Sequence, residues 1–174
     1  MYNCYMSKQL LSIHGLIEED LNNKLKTIII QSNDLDLSNH FLNYYLHASL
    51  KRSFYLNDEN VIEFLKLYFK NIKPINCQLN GLMIQKDMLW LNVISDELID
   101  IHNELDNILL NKFNIRIDEY DKNYFPHITL FSNSPLVKLE KIKDKLNNFI
   151  FEDNFIIDKI NIGKDINNME RINL

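Results

Sequence analysis

Only two cysteines, Cys4 and Cys77, occur in the 174 residues. Two cysteines make neither a disulfide framework nor a zinc-binding pattern, so a reducing compartment is expected. Only three glycines are present beside abundant asparagine, isoleucine and lysine, a bias of an AT-rich genome that says nothing of activity. No run approaches the ~18–20 apolar residues needed to span a bilayer. Met1-Tyr2-Asn3-Cys4-Tyr5 is not a basic leader followed by an apolar stretch, so no secretion signal is read and a cytoplasmic protein is expected. Basic residues are not in excess: the net charge is −5, which argues against stable, nonspecific binding of duplex DNA through a broad basic face. A short RNA or a small nucleotide in a locally basic cleft remains compatible with that charge.

A hydrophobic content of 46% with 25% charged residues is that of an ordinary soluble globular protein, with core enough to dispense with disulfide or metal staples. The length fits one domain, or one domain made of two similar halves. Gln9 to Leu16 reads as a first strand with Gly15 near its end, and Leu21, Leu25 and Ile28 mark a helix over Glu18 to Ile30. A polar loop is expected over residues 31–39, and a strand from Phe41 to Phe54. Val61, Phe64, Leu65, Tyr68 and Phe69 form the clearest amphipathic helix, stopped by Pro74. Ile75–Gln85 and Met88–Ile94 read as a hairpin turning at Lys86-Asp87. Ser95 is placed to cap a long helix with Leu98, Ile101, Leu105, Ile108 and Leu109 on one side. A short strand over Asn114 to Tyr120 and a turn at Asp121-Lys122-Asn123 lead to Tyr124-Phe125-Pro126-His127-Ile128-Thr129-Leu130-Phe131. Leu139, Ile142, Leu146 and Ile150 mark a third helix face, and Phe155 to Ile162 a late strand.

Two stretches share a pattern. Leu46-His47-Ala48-Ser49-Leu50 and Pro126-His127-Ile128-Thr129-Leu130 each set a histidine, one spacer, a hydroxyl residue and an apolar residue. In a strand, successive side chains alternate between faces, so His47 shares a face with Ser49, and His127 with Thr129. Two such ribbons side by side put two imidazoles and two hydroxyls around one cleft. That set suits a phosphodiester: two groups that exchange protons near neutral pH and two donors for phosphate oxygens. Each motif is followed by a polar turn, a helix and a further strand, which divides the chain into two related halves near residues 85–95. The alternation of strands and helices supports α+β or α/β, and the hairpin favours antiparallel sheets.

The paired motifs resemble the 2H phosphoesterase superfamily, which includes RNA 2',3'-cyclic phosphodiesterases (2'-5' RNA ligases), 2'-5' oligoadenylate phosphodiesterases and phage enzymes that degrade cyclic nucleotide signals. The resemblance covers the whole chain in layout and rests on the two short motifs. It implies an α+β fold of two pseudo-symmetric lobes, each a mainly antiparallel sheet with helices packed outside and the active-site cleft between the lobes. It implies that His47 and His127 are the catalytic residues and that Ser49 and Thr129 bind the substrate phosphate.

The reaction so implied is cleavage of a 2'-5' or 2',3'-cyclic phosphodiester with no metal and no cofactor. Its substrate would be a short RNA, an oligoadenylate or a cyclic nucleotide. One histidine acts as base and the other as acid, and the symmetry of the motifs leaves open which is which. A non-catalytic nucleotide- or RNA-binding module on the same fold is the alternative, and a monomer is expected in either case. Each histidine alone is also at home as a strand residue with satisfied hydrogen bonds; the matched pair points to chemistry. Two histidines without a third ligand make a poor zinc site. Lys51 alternates onto the face of His47 and Ser49, and Tyr124 is an aromatic ring suited to stacking on a base, so both are possible substrate contacts. Phe125 and Trp90 are expected to pack in the core. His14 is expected at the core or an edge, though its strand could turn it into the cleft. His40 and His102 are expected at the surface.

Overall fold

The computed structural model describes residues 10–32, 45–56, 58, 60–149, 151–163 and 169–174. His40 and most of the expected loop over 31–39 lie outside the described residues, as does the start of the expected strand from Phe41. Strand β1 is Leu10–Leu16, helix α1 Glu19–Ser32, β2 His47–Tyr55, α2 Asn60–Phe69, β3 Ile75–Gln85 and β4 Met88–Ile94. They are followed by α3 Asp96–Phe113, α4 Glu119–Lys122, β5 His127–Phe131, α5 Leu136–Leu146, β6 Asn154–Ile157, β7 Lys159–Gly163 and β8 Met169–Asn173. The fold is α+β. No helix among the described residues is long and apolar enough to cross a membrane.

All eight strands join one antiparallel sheet in the order β6-β3-β4-β5-β2-β1-β7-β8. The two histidine strands, β2 and β5, are the central pair. They are joined by the single registered pair Ala48↔Ile128, so the sheet falls into two four-stranded lobes that meet there. Each lobe is built from both parts of the chain. β3 follows β2 in sequence but pairs with β4 in the lobe of β5, and β7 follows β5 but pairs with β1 in the lobe of β2. The expected division near 85–95 therefore needs correction. It falls on the β3–β4 turn but does not separate the lobes, because β3 of the first part lies in the lobe of β5 while β7 and β8 of the second part lie in the lobe of β2.

Alternation sorts the sheet into two faces. Ala48, Leu50, Ile128, Leu130, Leu89, Leu91 and Val93 are buried on one, while His47, Ser49, His127, Thr129, Trp90 and Asn92 are half-buried on the other. The apolar face packs against α3 and α5, whose buried stripes include Leu98, Leu105 and Leu109, and Leu139, Ile142 and Leu146. Ser95 caps α3 by accepting from the Leu98 N–H.

Two sequence expectations fail locally. Residues 114–120 form no strand: Asn114 ends α3 in the left-handed region at φ 52°, and Asp118 then caps α4. Asp118 and Asp121 side chains each accept a backbone N–H of the other's turn, offering the backbone local partners in place of a ladder. The late strand breaks at Asp158 into β6 and β7, which pair with strands of different lobes. β8 was not anticipated.

Candidate active site

Each motif histidine opens its strand, and each is oriented by the chain just before it. The Leu46 N–H donates to the side chain of Asn22 on α1, fixing the entry into β2. The Val93 N–H of β4 donates to the carbonyl of Pro126, fixing the entry into β5. His47 Nδ1 then lies 3.0 Å from the carbonyl oxygen of Tyr45, and His127 Nδ1 lies 2.7 Å from that of Phe125. A carbonyl only accepts, so in both rings Nδ1 carries the proton and Nε2 keeps a bare lone pair when the ring is neutral. Two residues that share no local sequence beyond the motif thus hold the same tautomer by the same bond to residue i−2.

The antiparallel register around Ala48↔Ile128 sets Ser49 beside His127 and His47 beside Thr129. Neighbouring strands extend the row. His14 pairs with Ser49 on one side and with Asn161 on the other, and Asn161 pairs with Arg171. Across the sheet, His127 pairs with Asn92 and Thr129 with Trp90. Each motif imidazole is flanked by a ring from the next strand out: His14 tilts against His47 at 4.1 Å, and Trp90 stacks on His127 at 3.8 Å. The expectation of a core Trp90 is thereby corrected, and His14 takes the cleft placement over the core or edge one.

Among the described residues, the buried side-chain polar atoms without a hydrogen-bond partner are Trp90 Nε1, Asn92 Oδ1 and Asn161 Oδ1. All three residues sit on the histidine face. A buried polar atom left unpaired costs about 1–3 kcal/mol, so three on one face mark it as a place where a ligand or bound water is needed. Two surface hollows elsewhere, one at Phe64 and Ile108 and one at Asn76 and Ile156, contain none of these residues.

Lys51 does not reach this face. β2 carries extra residues opposite β1, so that Ser49 pairs with His14 but Lys51, two residues on, pairs with the adjacent Ile13. Neighbours in β1 point to opposite faces, and the bulge therefore turns Lys51 under the sheet. It is 2% exposed and ion-paired to Asp106, at 2.6 Å, and to Asp121. His102, expected at the surface, is buried beside them, with its ring nitrogens 2.7 and 3.1 Å from the carbonyls of Leu50 and Asp121. His102, Asp106 and Asp121 cluster closely enough to hold a cation, and the Lys51 ammonium already bonds both carboxylates.

The aromatic expectations also reverse. Tyr124 stacks on His102 at 3.8 Å and donates its hydroxyl to the Ser49 carbonyl at 2.9 Å, so it braces the motif from behind. Phe125, expected to pack, is 44% exposed.

Burial lowers the pKa of His47, partly offset by its bond to the Tyr45 carbonyl. Burial likewise lowers that of His127, against its carbonyl bond and with a smaller contribution from the charge of His47. His14 is pushed well below its ordinary value by burial and then by His47. All three rings are thus harder to protonate than a free imidazole, and a nearby negative charge would oppose that shift.

His14, Trp90, Asn92 and Asn161 carried no motif. Their one signal was alternation with core residues, as in Leu89-Trp90-Leu91-Asn92-Val93, and it becomes informative only once β4 and β1 are known to flank the histidine strands.

No family model matches this sequence, and no curated protein matches it. Solved structures match in fold. A crystal structure of a phosphoesterase aligns over 97% of this chain and 96% of its own, at 15% identity and TM-score 0.61. Escherichia coli LigT, complexed with 3'-AMP, aligns over 97% of this chain and 96% of its own, at 15% identity and TM-score 0.51. Kluyveromyces marxianus Usb1 with uridine monophosphate aligns over 97% of this chain and 99% of its own, at 12% identity and TM-score 0.52.

Proposed function

We propose that this chain, which has the fold of the 2H phosphoesterases, is a metal-independent phosphodiesterase. Its substrate is a 2'-5' or 2',3'-cyclic phosphodiester of a short RNA, an oligoadenylate or a cyclic nucleotide signal. The observation that carries this reading is the matched pair of imidazoles, each with Nδ1 tied to a carbonyl and Nε2 without a hydrogen-bond partner among the described residues, beside two hydroxyls on adjoining strands.

One Nε2 takes the proton of the attacking oxygen, from water or from a 2'-hydroxyl, as that oxygen bonds to phosphorus. The other imidazole, protonated, gives its proton to the oxygen whose bond to phosphorus breaks. Ser49 and Thr129 hold the non-bridging oxygens, where negative charge gathers in the transition state. Burial keeps both rings neutral in the free protein, and the incoming anion restores the proton that the acid must carry.

Several features support a small or single-stranded substrate. The net charge is −5, and Lys51 is already neutralised by two carboxylates. The unpartnered Trp90, Asn92 and Asn161 atoms offer hydrogen bonds of the kind a nucleobase or ribose presents. LigT and Usb1 have been crystallised with nucleotides, which supports the same class here.

The test is turnover in EDTA of 2'-5' oligoadenylate, cyclic dinucleotides and 2',3'-cyclic nucleotides. Product from at least one is expected, with His47→Ala or His127→Ala each slowing it by about 10²–10⁴-fold. Turnover that EDTA abolishes would sink the mechanism. Binding without product, surviving the double alanine variant, would establish the non-catalytic module instead.

A further inference from the structure

The two motif hydroxyls are not equivalent. Among the described residues the Thr129 hydroxyl has no hydrogen-bond partner. Ser49 is the last member of a chain that begins on β7. Ser12 Oγ donates to the carbonyl of Gly163 at 3.1 Å. A hydroxyl has one proton, so towards His14 Ser12 can only accept, and His14 Nε2, 2.8 Å away, is the donor. A neutral imidazole protonated at Nε2 has a bare Nδ1. That Nδ1 lies 3.2 Å from Ser49 Oγ and accepts its proton. In the free protein the Ser49 proton therefore points towards His14, and only its lone pairs are left for other partners.

We propose that His14 is a positioning residue that governs which way Ser49 offers its hydroxyl proton. When a phosphoryl oxyanion binds, His14 takes one proton from solvent at Nδ1, donates it as a hydrogen bond to Ser49 Oγ, and so turns the Ser49 proton onto a non-bridging oxygen. No bond breaks, and the links from His14 through Ser12 to Gly163 are unchanged. The inference rests on the phosphodiesterase reading of this face and names a third histidine for it.

The surroundings of His14 suit a ring that changes charge only with an anion present. From β2 it faces His47, whose charge opposes its own protonation. From β7 it faces the neutral Asn161, with Lys159 further along the same side, and beyond Asn161 stands Arg171 of β8. On its own strand it faces Ser12. An oxyanion at Ser49 supplies the negative charge that these neighbours lack.

Side-chain ¹⁵N resonances of the histidines, recorded across pH with and without sodium sulfate, test this. Sulfate is a tetrahedral oxyanion that does not titrate near neutrality. In the free protein at pH 7, His14 is expected protonated at Nε2 and bare at Nδ1. With sulfate its midpoint should rise past pH 7, so that at pH 7 both ring nitrogens carry a proton. His14→Asn, whose amide can donate to Ser49 without titrating, should bind sulfate with one proton less of pH dependence and keep its affinity at pH 7. His14→Phe should lose the same proton but bind more weakly than His14→Asn, a split that mere packing would not give. A free-protein His14 protonated at Nδ1, or His14 resonances that sulfate leaves unmoved, overturns the proposal. An inactive protein whose His14 still gains a proton with sulfate would sink the phosphodiesterase reading and leave this one standing.

Discussion

An imidazole acts as base or acid according to what its second nitrogen is doing and how much water it sees. In His47 and His127 both factors are the same: Nδ1 is held by a carbonyl, and burial lowers the pKa below 6.5. The reactive form needs one ring protonated and one neutral. On the proposed phosphodiesterase mechanism, the protonated ring of the free protein loses its proton as pH rises past its lowered pKa, so kcat/KM should peak on the acid side of pH 6.5 and fall above it. Bound phosphodiester favours the imidazolium, so the kcat optimum should lie at higher pH. A kcat/KM profile still rising above pH 7 would contradict this.

Lys51 makes the second prediction at this scale. It is a buried charge held between two buried carboxylates. Lys51→Met should cost about 3–5 kcal/mol in urea unfolding, because it leaves two buried carboxylates without the ammonium that balances their charge. Burial already raises the Asp106 pKa, and loss of the ammonium would raise it further. A carboxyl with a raised folded-state pKa favours folding at low pH and loses that contribution as pH rises, so the deficit of the variant should shrink towards acid pH. The four motif residues were legible because a strand's period fixes their shared face. Lys51 obeyed the same period in sequence and broke it in space, because a bulge in β2 shifts the count.

At the level of elements, α3 ties the site to the core. It carries His102 and Asp106 beneath β2, and its start is fixed by Ser95, which accepts from the Leu98 N–H at 3.3 Å and donates to the Asn76 carbonyl at 2.7 Å. Ser95→Ala removes both bonds and should destabilise the fold by about 1–2 kcal/mol, read as a lower urea midpoint with an unchanged slope. Loss of less than about 0.5 kcal/mol would show the cap to be dispensable. The β3–β4 hairpin and the cap of α3 were read correctly from sequence, since turn and cap chemistry are local. Residues 114–120 were misread for the same reason: the aspartates at 118 and 121 bond to the nearby backbone and start a helical turn, against the strand preference of their neighbours.

For the whole molecule, Gly15 and Ile157 report how the sheet closes. Four strands separate β1 from β6 in the sheet order, yet a Cβ on Gly15 would stand 2.9 Å from Cδ1 and from Cγ2 of Ile157. The sheet therefore curls until its edge strand meets β1 across the core, and residues 154–163 pass from one lobe to the other with a break at Asp158. Ile157 is fully buried, so Gly15→Ala forces it to move and should cost about 1–3 kcal/mol by chemical unfolding. In an Ile157→Ala background the same change should cost less, and simple additivity of the two variants would refute the contact.

From the order of residues alone came most of the elements, the apolar faces, the hairpin and the four motif side chains, because periodicity and turn chemistry act over a few neighbouring positions. The assembled protein alone decided which strands lie side by side. That choice put His14, Trp90, Asn92 and Asn161 beside the motif, turned Lys51 under the sheet, and made each lobe from both parts of the chain. Strand pairing is a contact between residues far apart in sequence, and a single bulge reverses a face, so neither is written in any local pattern.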